Sequence, residues 1–238
     1  VTIAPIVPLW QIVLGALGVV GGFIIGSIPF GVIVGRVFYR RDIRSEGSGN
    51  IGAANALRTL GKKGAVVVLL LDALKGALPV ALVTLGGGWT GIAALAGAAA
   101  VLGHCYSPFL GGRGGKGVAT SYGAIWVLAW PAAIAFTLVW VSTIVAIGYS
   151  SVASMLASAA MPFALWFMIG RVGLAYGIVS AAFIVYKHGA NLARLRAGTE
   201  TRLTLRRQPA NAATHVKPLK PLRRGTSDGR QRRGGRAG

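Results

Sequence analysis

The chain has 238 residues, of which 54% are hydrophobic and 13% are charged. A soluble domain usually carries about 25% charged residues, and here the apolar residues are gathered into long runs between short polar clusters, so a water-soluble globule is excluded and a membrane protein is indicated. The 25 Lys and Arg against 5 Asp and Glu invite a nucleic-acid reading. Fourteen of the bases lie after Tyr186, however, and seven lie between Arg36 and Lys63, in stretches that border apolar segments. That is the distribution of cytoplasmic loops under the positive-inside rule, with anionic lipid headgroups as partners.

In chain order, the first apolar run covers about Ile6 to Val34, with Trp10 as an interfacial anchor and glycines at 15, 18, 21, 22 and 26 for close helix packing. It lacks a basic leader and reads as a permanent span. The polar stretch from Arg36 to Lys63 follows. The second run, Gly64 to Leu85, holds Asp72, Lys75 and Pro79, and a short uncharged turn at Gly86 to Gly91 leads to a third run ending near Leu102. A second polar stretch runs from Gly103 to Gly117. Val118 to Tyr186 contains one charge, Arg171, with turns expected at Trp130-Pro131, Gly148 to Ser151 and Gly170-Arg171.

Charge parity sets the expected count. A cytoplasmic loop at 36–63 puts the N-terminus outside. The basic tail then lies inside only if the last apolar stretch crosses four times, giving an all-α polytopic protein of about seven transmembrane helices with a cytoplasmic C-terminus. Residues 1–207 read as one integral-membrane domain. Residues 208–238, rich in Arg, Gly and Pro, read as a basic, disordered cytoplasmic tail. Cys105 is the only cysteine, and His104, His188 and His215 are far apart, so neither a disulfide, a metal site nor a cofactor is expected.

Three polar stretches carry chemistry. The first, Ser48-Gly49-Asn50 through Asn55 to Arg58, contains Gly47-x-Gly49-x-x-Gly52 with Asp72 20 residues on. It is not a dinucleotide site, because the fingerprint follows a hydrophobic strand and here follows Arg40 to Glu46. The second contains Gly114-Gly115-Lys116-Gly117. It fails the Walker A pattern, which needs Gly where Leu110 stands and Ser or Thr where Gly117 stands. Its glycines can still bring N–H groups to an anion, beside the Lys116 charge and the positive end of a following helix. The alternative is a flexible basic loop at a membrane surface. In the third, a helix would put His188 and Asn191 on one face. The alternative there is an interfacial helix facing headgroups. Asp72 and Lys75, one turn apart inside a span, read as a structural ion pair in preference to a catalytic one.

Together these stretches resemble the acyl-phosphate-dependent glycerol-3-phosphate acyltransferases of bacteria. The resemblance runs from about Gly26 to Leu203. It rests on Gly26-Ser27-Ile28-Pro29-Phe30-Gly31, Gly47 to Arg58, Leu71 to Gly76, Gly103-His104, Gly114 to Thr120, and His188-x-x-Asn191 with Arg194 and Gly198-Thr199-Glu200. The pattern departs at Ser107 and Gly112, where Pro and an aromatic are usual, and at Thr201, where Pro is common. The resemblance implies a multi-pass protein of the bacterial inner membrane with its active site facing the cytoplasm. Its substrates would be acyl phosphate and glycerol-3-phosphate, its products lysophosphatidate and phosphate. An upstream enzyme that forms acyl phosphate would be a partner, and neither nucleic acid nor a cofactor would be needed. Ser48, Arg58, Lys116, His188 and Asn191 would be catalytic, Gly49, Asn50, Asn55, Gly114, Gly115 and Gly117 substrate-binding, and Glu200 structural. The rival reading is a membrane transporter for a phosphorylated or anionic solute, lined by Asp72 and Lys75. A membrane-anchored nucleic-acid binder would leave the loops unexplained.

Overall fold

The computed structural model describes residues 8–203, and the expected tail at 208–238 lies outside them. The described residues form helices and no strand: α1 (Leu9–Ser27), α2 (Phe30–Tyr39), α3 (Ala53–Thr59), α4 (Gly61–Leu85), α5 (Thr90–Cys105), α6 (Val118–Leu128), α7 (Trp130–Ile147), α8 (Ser150–Lys187) and α9 (Gly189–Arg196). Five segments are long and apolar enough to cross a membrane: Leu9–Tyr39, Gly61–Leu85, Thr90–Leu110, Trp130–Ile147 and Ser150–Lys187. The exterior carries Leu17, Leu70, Leu138, Phe167 and Val179, while Asp72 and Lys75 are buried. That inside-out distribution suits lipid, where apolar surface is free to face outward and charge must be paired within.

The first apolar run, expected as one span, is broken between α1 and α2 at Ile28-Pro29. Proline has no N–H to continue the ladder, and a helix break in lipid must find partners for the carbonyls it frees. It does: Lys75 Nζ donates to Ile28 O at 2.8 Å and Ser107 Oγ to Ser27 O at 2.6 Å. α4 and α6 lie backbone to backbone. A Cβ on Gly76 would stand 1.9 Å from Thr120 O, and one on Gly123 would stand 1.8 Å from Ala73 O, so only glycine permits this approach.

α8 spans 38 residues. A straight helix of that length would measure about 57 Å, nearly twice the roughly 30 Å hydrocarbon core. It is not straight. Ile169 (φ −134°, ψ 20°) and Gly170 (φ 61°, ψ −140°) leave helical geometry. The limbs on either side fold back on each other, and a Cβ on Gly177 would stand 2.6 Å from Pro162 Cα. The fold-back sits beside the expected turn at Gly170-Arg171. The ends of the bundle sort accordingly. At one end Gly91 approaches Val172. At the other, Leu203 N–H donates to Gly148 O at 2.7 Å and Lys187 Nζ to Cys105 O at 3.3 Å.

Candidate active site

At the second of these ends the three polar stretches converge on one cavity of about 340 Å³. Its polar wall holds Ser48, Asn50, Arg58, Lys116, His188 and Asn191. Its apolar wall holds Leu69, Phe136, Trp140 and Val141, from α4 and α7. Asn55 and Gly117 also line it. Gly49, Gly114 and Gly115 do not.

The loop before α3 is shaped by its own side chains. Asn55 is buried; its Oδ1 accepts the Ser48 N–H at 2.8 Å and its Nδ2 donates to Ile43 O at 2.7 Å. Asn50 Oδ1 accepts the Gly52 N–H at 2.9 Å. Asn55 thus organises the loop around Ser48, and a substrate-binding role for it would compete with bonds it already makes.

The Gly-rich loop packs against the end of α5. The Gly115 N–H, counted as an anion donor, is engaged by His104 O at 3.0 Å. A Cβ on Gly114 would stand 2.0 Å from His104 O, and one on Gly115 would stand 2.0 Å from His104 Nε2. These two glycines exist to let the loop lie against the end of α5. Gly117, at φ 81°, caps α6, and Gly117, Val118 and Ala119 line the cavity, so the first turn of α6, whose leading N–H groups have no intrahelical partner, lies at its edge.

Lys116 Nζ donates to Asn191 Oδ1 in a short hydrogen bond. Asn191 Nδ2 donates to Glu200 Oε1 at 2.6 Å, Ser151 Oγ to the same oxygen at 2.8 Å, and Arg194 Nε to Glu200 Oε2 at 2.7 Å. Glu200 therefore ties α8, α9 and, through Asn191, the Lys116 loop into one network. Burial raises its pKa, but these hydrogen bonds outweigh burial and leave it below the usual carboxylate range.

Burial pushes the Lys116 ammonium down to about 8; Glu200 opposes the fall, while Arg194 and Arg58 add to it. Burial also depresses the Arg58 guanidinium, which stays cationic at neutral pH. His188 is 3% exposed, and burial, then the Lys116 charge, push it down to about 4 against the Ile184 carbonyl and Glu200. The neutral ring donates Nδ1–H to Ile184 O at 2.7 Å, which leaves the Nε2 lone pair free.

Some cavity residues escaped the sequence reading. Ser151 and Ser154 of α8, and Tyr122 and Thr137, which share a hydrogen bond of 2.8 Å, belong to the walls. The buried serines at 151, 154 and 158 make one small polar face in an otherwise apolar helix, a signal their spacing could have supplied. His104 and Asp72 also reach the cavity.

Comparison with known proteins shows the family. The family model described as glycerol-3-phosphate acyltransferase matches residues 16–198. The glycerol-3-phosphate acyltransferase of Methylorubrum populi is 46% identical over 197 residues, covering 82% of this chain and 94% of the relative. That of Brucella anthropi is 42% identical over 191 residues, covering 80% and 92%. Among solved structures, PlsY (YgiH), an integral membrane glycerol 3-phosphate acyltransferase, matches in its glycerol 3-phosphate form with a TM-score of 0.76 and 36% identity, over 80% of this chain and 96% of that one. Its lysophosphatidic acid form matches with a TM-score of 0.74 and 35% identity. A multi-pass helical bundle, a cavity that joins basic and apolar walls, and matches that span most of both partners lead to one conclusion: the chain belongs to the glycerol-3-phosphate acyltransferase family.

Proposed function

We propose that this enzyme transfers a fatty acyl group from acyl phosphate to the 1-hydroxyl of glycerol-3-phosphate, at the cytoplasmic face of a bacterial inner membrane, giving lysophosphatidate and phosphate. The observation that carries the reading is one cavity lined by Arg58, Lys116 and the first turn of α6 and also by Leu69, Phe136 and Trp140. Two phosphates brought together repel, and the cations with the α6 N–H groups offset that repulsion. The apolar wall takes the start of the acyl chain, whose remainder can lie in lipid.

Acyl phosphate is a mixed anhydride with a good leaving group, so positioning and charge stabilisation supply most of the catalysis. The 1-oxygen of glycerol-3-phosphate attacks the acyl carbonyl carbon, the bond from that carbon to the phosphate oxygen breaks, and phosphate departs. The hydroxyl proton needs a base. His188, at about 4, is weaker than a phosphate dianion, whose conjugate acid has a pKa of about 6. A substrate phosphate therefore takes the proton, and His188 binds substrate and does not serve as the base. Ser48, Asn50 and Asn191 complete the polar wall.

We infer seven crossings, with the N-terminus outside and residues 188–203 inside. The fold-back at Ile169-Gly170 supports two crossings by α8. α6 has 11 residues and alone would cover about 17 Å. A crossing that short is accommodated by local thinning of the bilayer. The activity test is phosphate release from acyl phosphate by purified protein. Release that depends on glycerol-3-phosphate is expected; turnover with acyl-CoA in its place, and none with acyl phosphate, would overturn the donor assignment.

A further inference from the structure

His104 lies in the last turn of α5 and is 4% exposed; Asp72, in the middle of α4, is 1% exposed. His104 Nδ1 stands 3.7 Å from Asp72 Oδ1, and the same carboxylate oxygen is 2.8 Å from Lys75 Nζ. Lys75 is itself tied to Ile28 O at the break between α1 and α2. Neither Asp72 oxygen nor His104 Nδ1 has a hydrogen-bond partner among the described residues. A buried ion pair is weak evidence of a stabilising role, since apolar replacement is commonly neutral or favourable. An imidazole beside it with an unsatisfied nitrogen adds a further cost. Stability alone therefore gives no reason for this cluster. Its other face does: the His104 carbonyl holds the Gly115 N–H at 3.0 Å, and Gly114 and Gly115 lie against the His104 carbonyl and ring with no room for a Cβ. The next residue is Lys116.

We propose that Asp72 and His104 are positioning residues that set the Lys116 loop against the cavity. Asp72, anchored by Lys75, holds the imidazole in one orientation; a shift of under about 1 Å would close the Nδ1–H bond to the carboxylate. The oriented ring and carbonyl then fix Gly114 and Gly115, so that Lys116 reaches Asn191 and the substrate phosphate. The inference rests on the reading of Lys116 as a phosphate ligand.

The test uses the purified full chain and three readouts: KM for each substrate with kcat, inhibition by inorganic phosphate, and thermal unfolding. His104→Ala is expected to raise the phosphate inhibition constant and the KM of a phosphorylated substrate about tenfold, the scale of one displaced charge-assisted contact. Combined with Lys116→Ala it adds nothing, because it acts through Lys116. Asp72→Asn and Asp72→Ala both lose the ion pair, but only the amide keeps an acceptor for Nδ1–H. Positioning predicts that Asp72→Asn stays near the wild-type KM while Asp72→Ala matches His104→Ala. If His104→Ala does not fold, His104→Ala/Gly115→Ala takes its place, since the added methyl refills the space of the ring. Wild-type KM and phosphate inhibition in a folded His104 variant, or equal effects of the two Asp72 variants, overturn the proposal. So does loss of folding in both His104 variants or in either Asp72 variant, which would make the cluster structural only. Lys116→Ala alone separates the two levels: a normal KM there sinks the phosphate-loop reading, whereas a raised KM with normal His104→Ala sinks only this inference.

Discussion

Lys116 and Asn191 lie 75 positions apart in the chain and meet side chain to side chain at the cavity. Asn191 acts as acceptor toward Lys116 and as donor toward Glu200. The amide accepts through Oδ1 and donates through Nδ2, which a carboxylate cannot do. Asn191→Asp keeps the acceptor but sets a second carboxylate against Glu200, so it is expected to lower the melting temperature as well as activity. Asn191→Ala is expected to lower kcat/KM by about tenfold to a hundredfold, with a smaller change in melting. Equal melting temperatures for the two variants would count against the donor role toward Glu200.

Arg58 and Lys116 are expected to differ in what replaces them. Lys116→Ala removes a charge-assisted contact, a loss of about 1.5–3 kcal/mol, and should raise KM for a phosphorylated substrate. Arg58→Lys keeps the charge but loses the planar fork that, on the proposed reading, would grip two phosphate oxygens, so it should also be impaired by about tenfold. A loop whose bases merely face headgroups predicts small, interchangeable effects. Steady-state kinetics with each substrate varied in turn separates the two.

The pH dependence follows from the Lys116 shift. With its pKa brought down to about 8, the ammonium proposed to bind phosphate is lost from the free enzyme as pH rises past that value. kcat/KM is then expected to fall on the alkaline side with an apparent pKa near 8, by up to about tenfold per pH unit. Lys116→Arg should move that limb upward. The sign for stability is opposite. Between about 8 and the unfolded value of 10.5, the unfolded chain binds the extra proton, so the Lys116 contribution to stability rises with pH in that window. An activity limb that stays near 8 in Lys116→Arg would assign it to another group.

Much of the site was legible because its loops carry more Gly, Asn, Ser and base than an inert connection requires. Ser48, Arg58, Lys116, His188 and Asn191 all line one cavity. The roles of Gly114 and Gly115 were not legible, because sequence cannot distinguish a glycine that approaches a ligand from one pressed against a neighbouring helix. His104 and Asp72 were visible as residues, but their meeting depends on how α4 and α5 pack. The break at Ile28-Pro29 was hidden inside a continuous apolar run, since hydropathy reads burial and not backbone direction.

Topology provides the last expectation. Residues 86–89 and 170–171 are expected outside, and residues 40–60, 148–149 and 188–203 inside. The charge asymmetry supplies the orientation. The packing supplies which connections share an end, through Gly91 with Val172 and Leu203 with Gly148. Single cysteines placed at Arg171 and Thr201, in a chain whose Cys105 is buried, make the test direct. A membrane-impermeant thiol reagent added to intact spheroplasts should label the Arg171→Cys variant at once and the Thr201→Cys variant only after the membrane is opened. Five crossings with α8 traversed once would carry residues 171 and 201 to the same labelling class or exchange them. Protection of Arg171→Cys in intact spheroplasts would therefore remove the seven-crossing arrangement, whatever the activity of the protein.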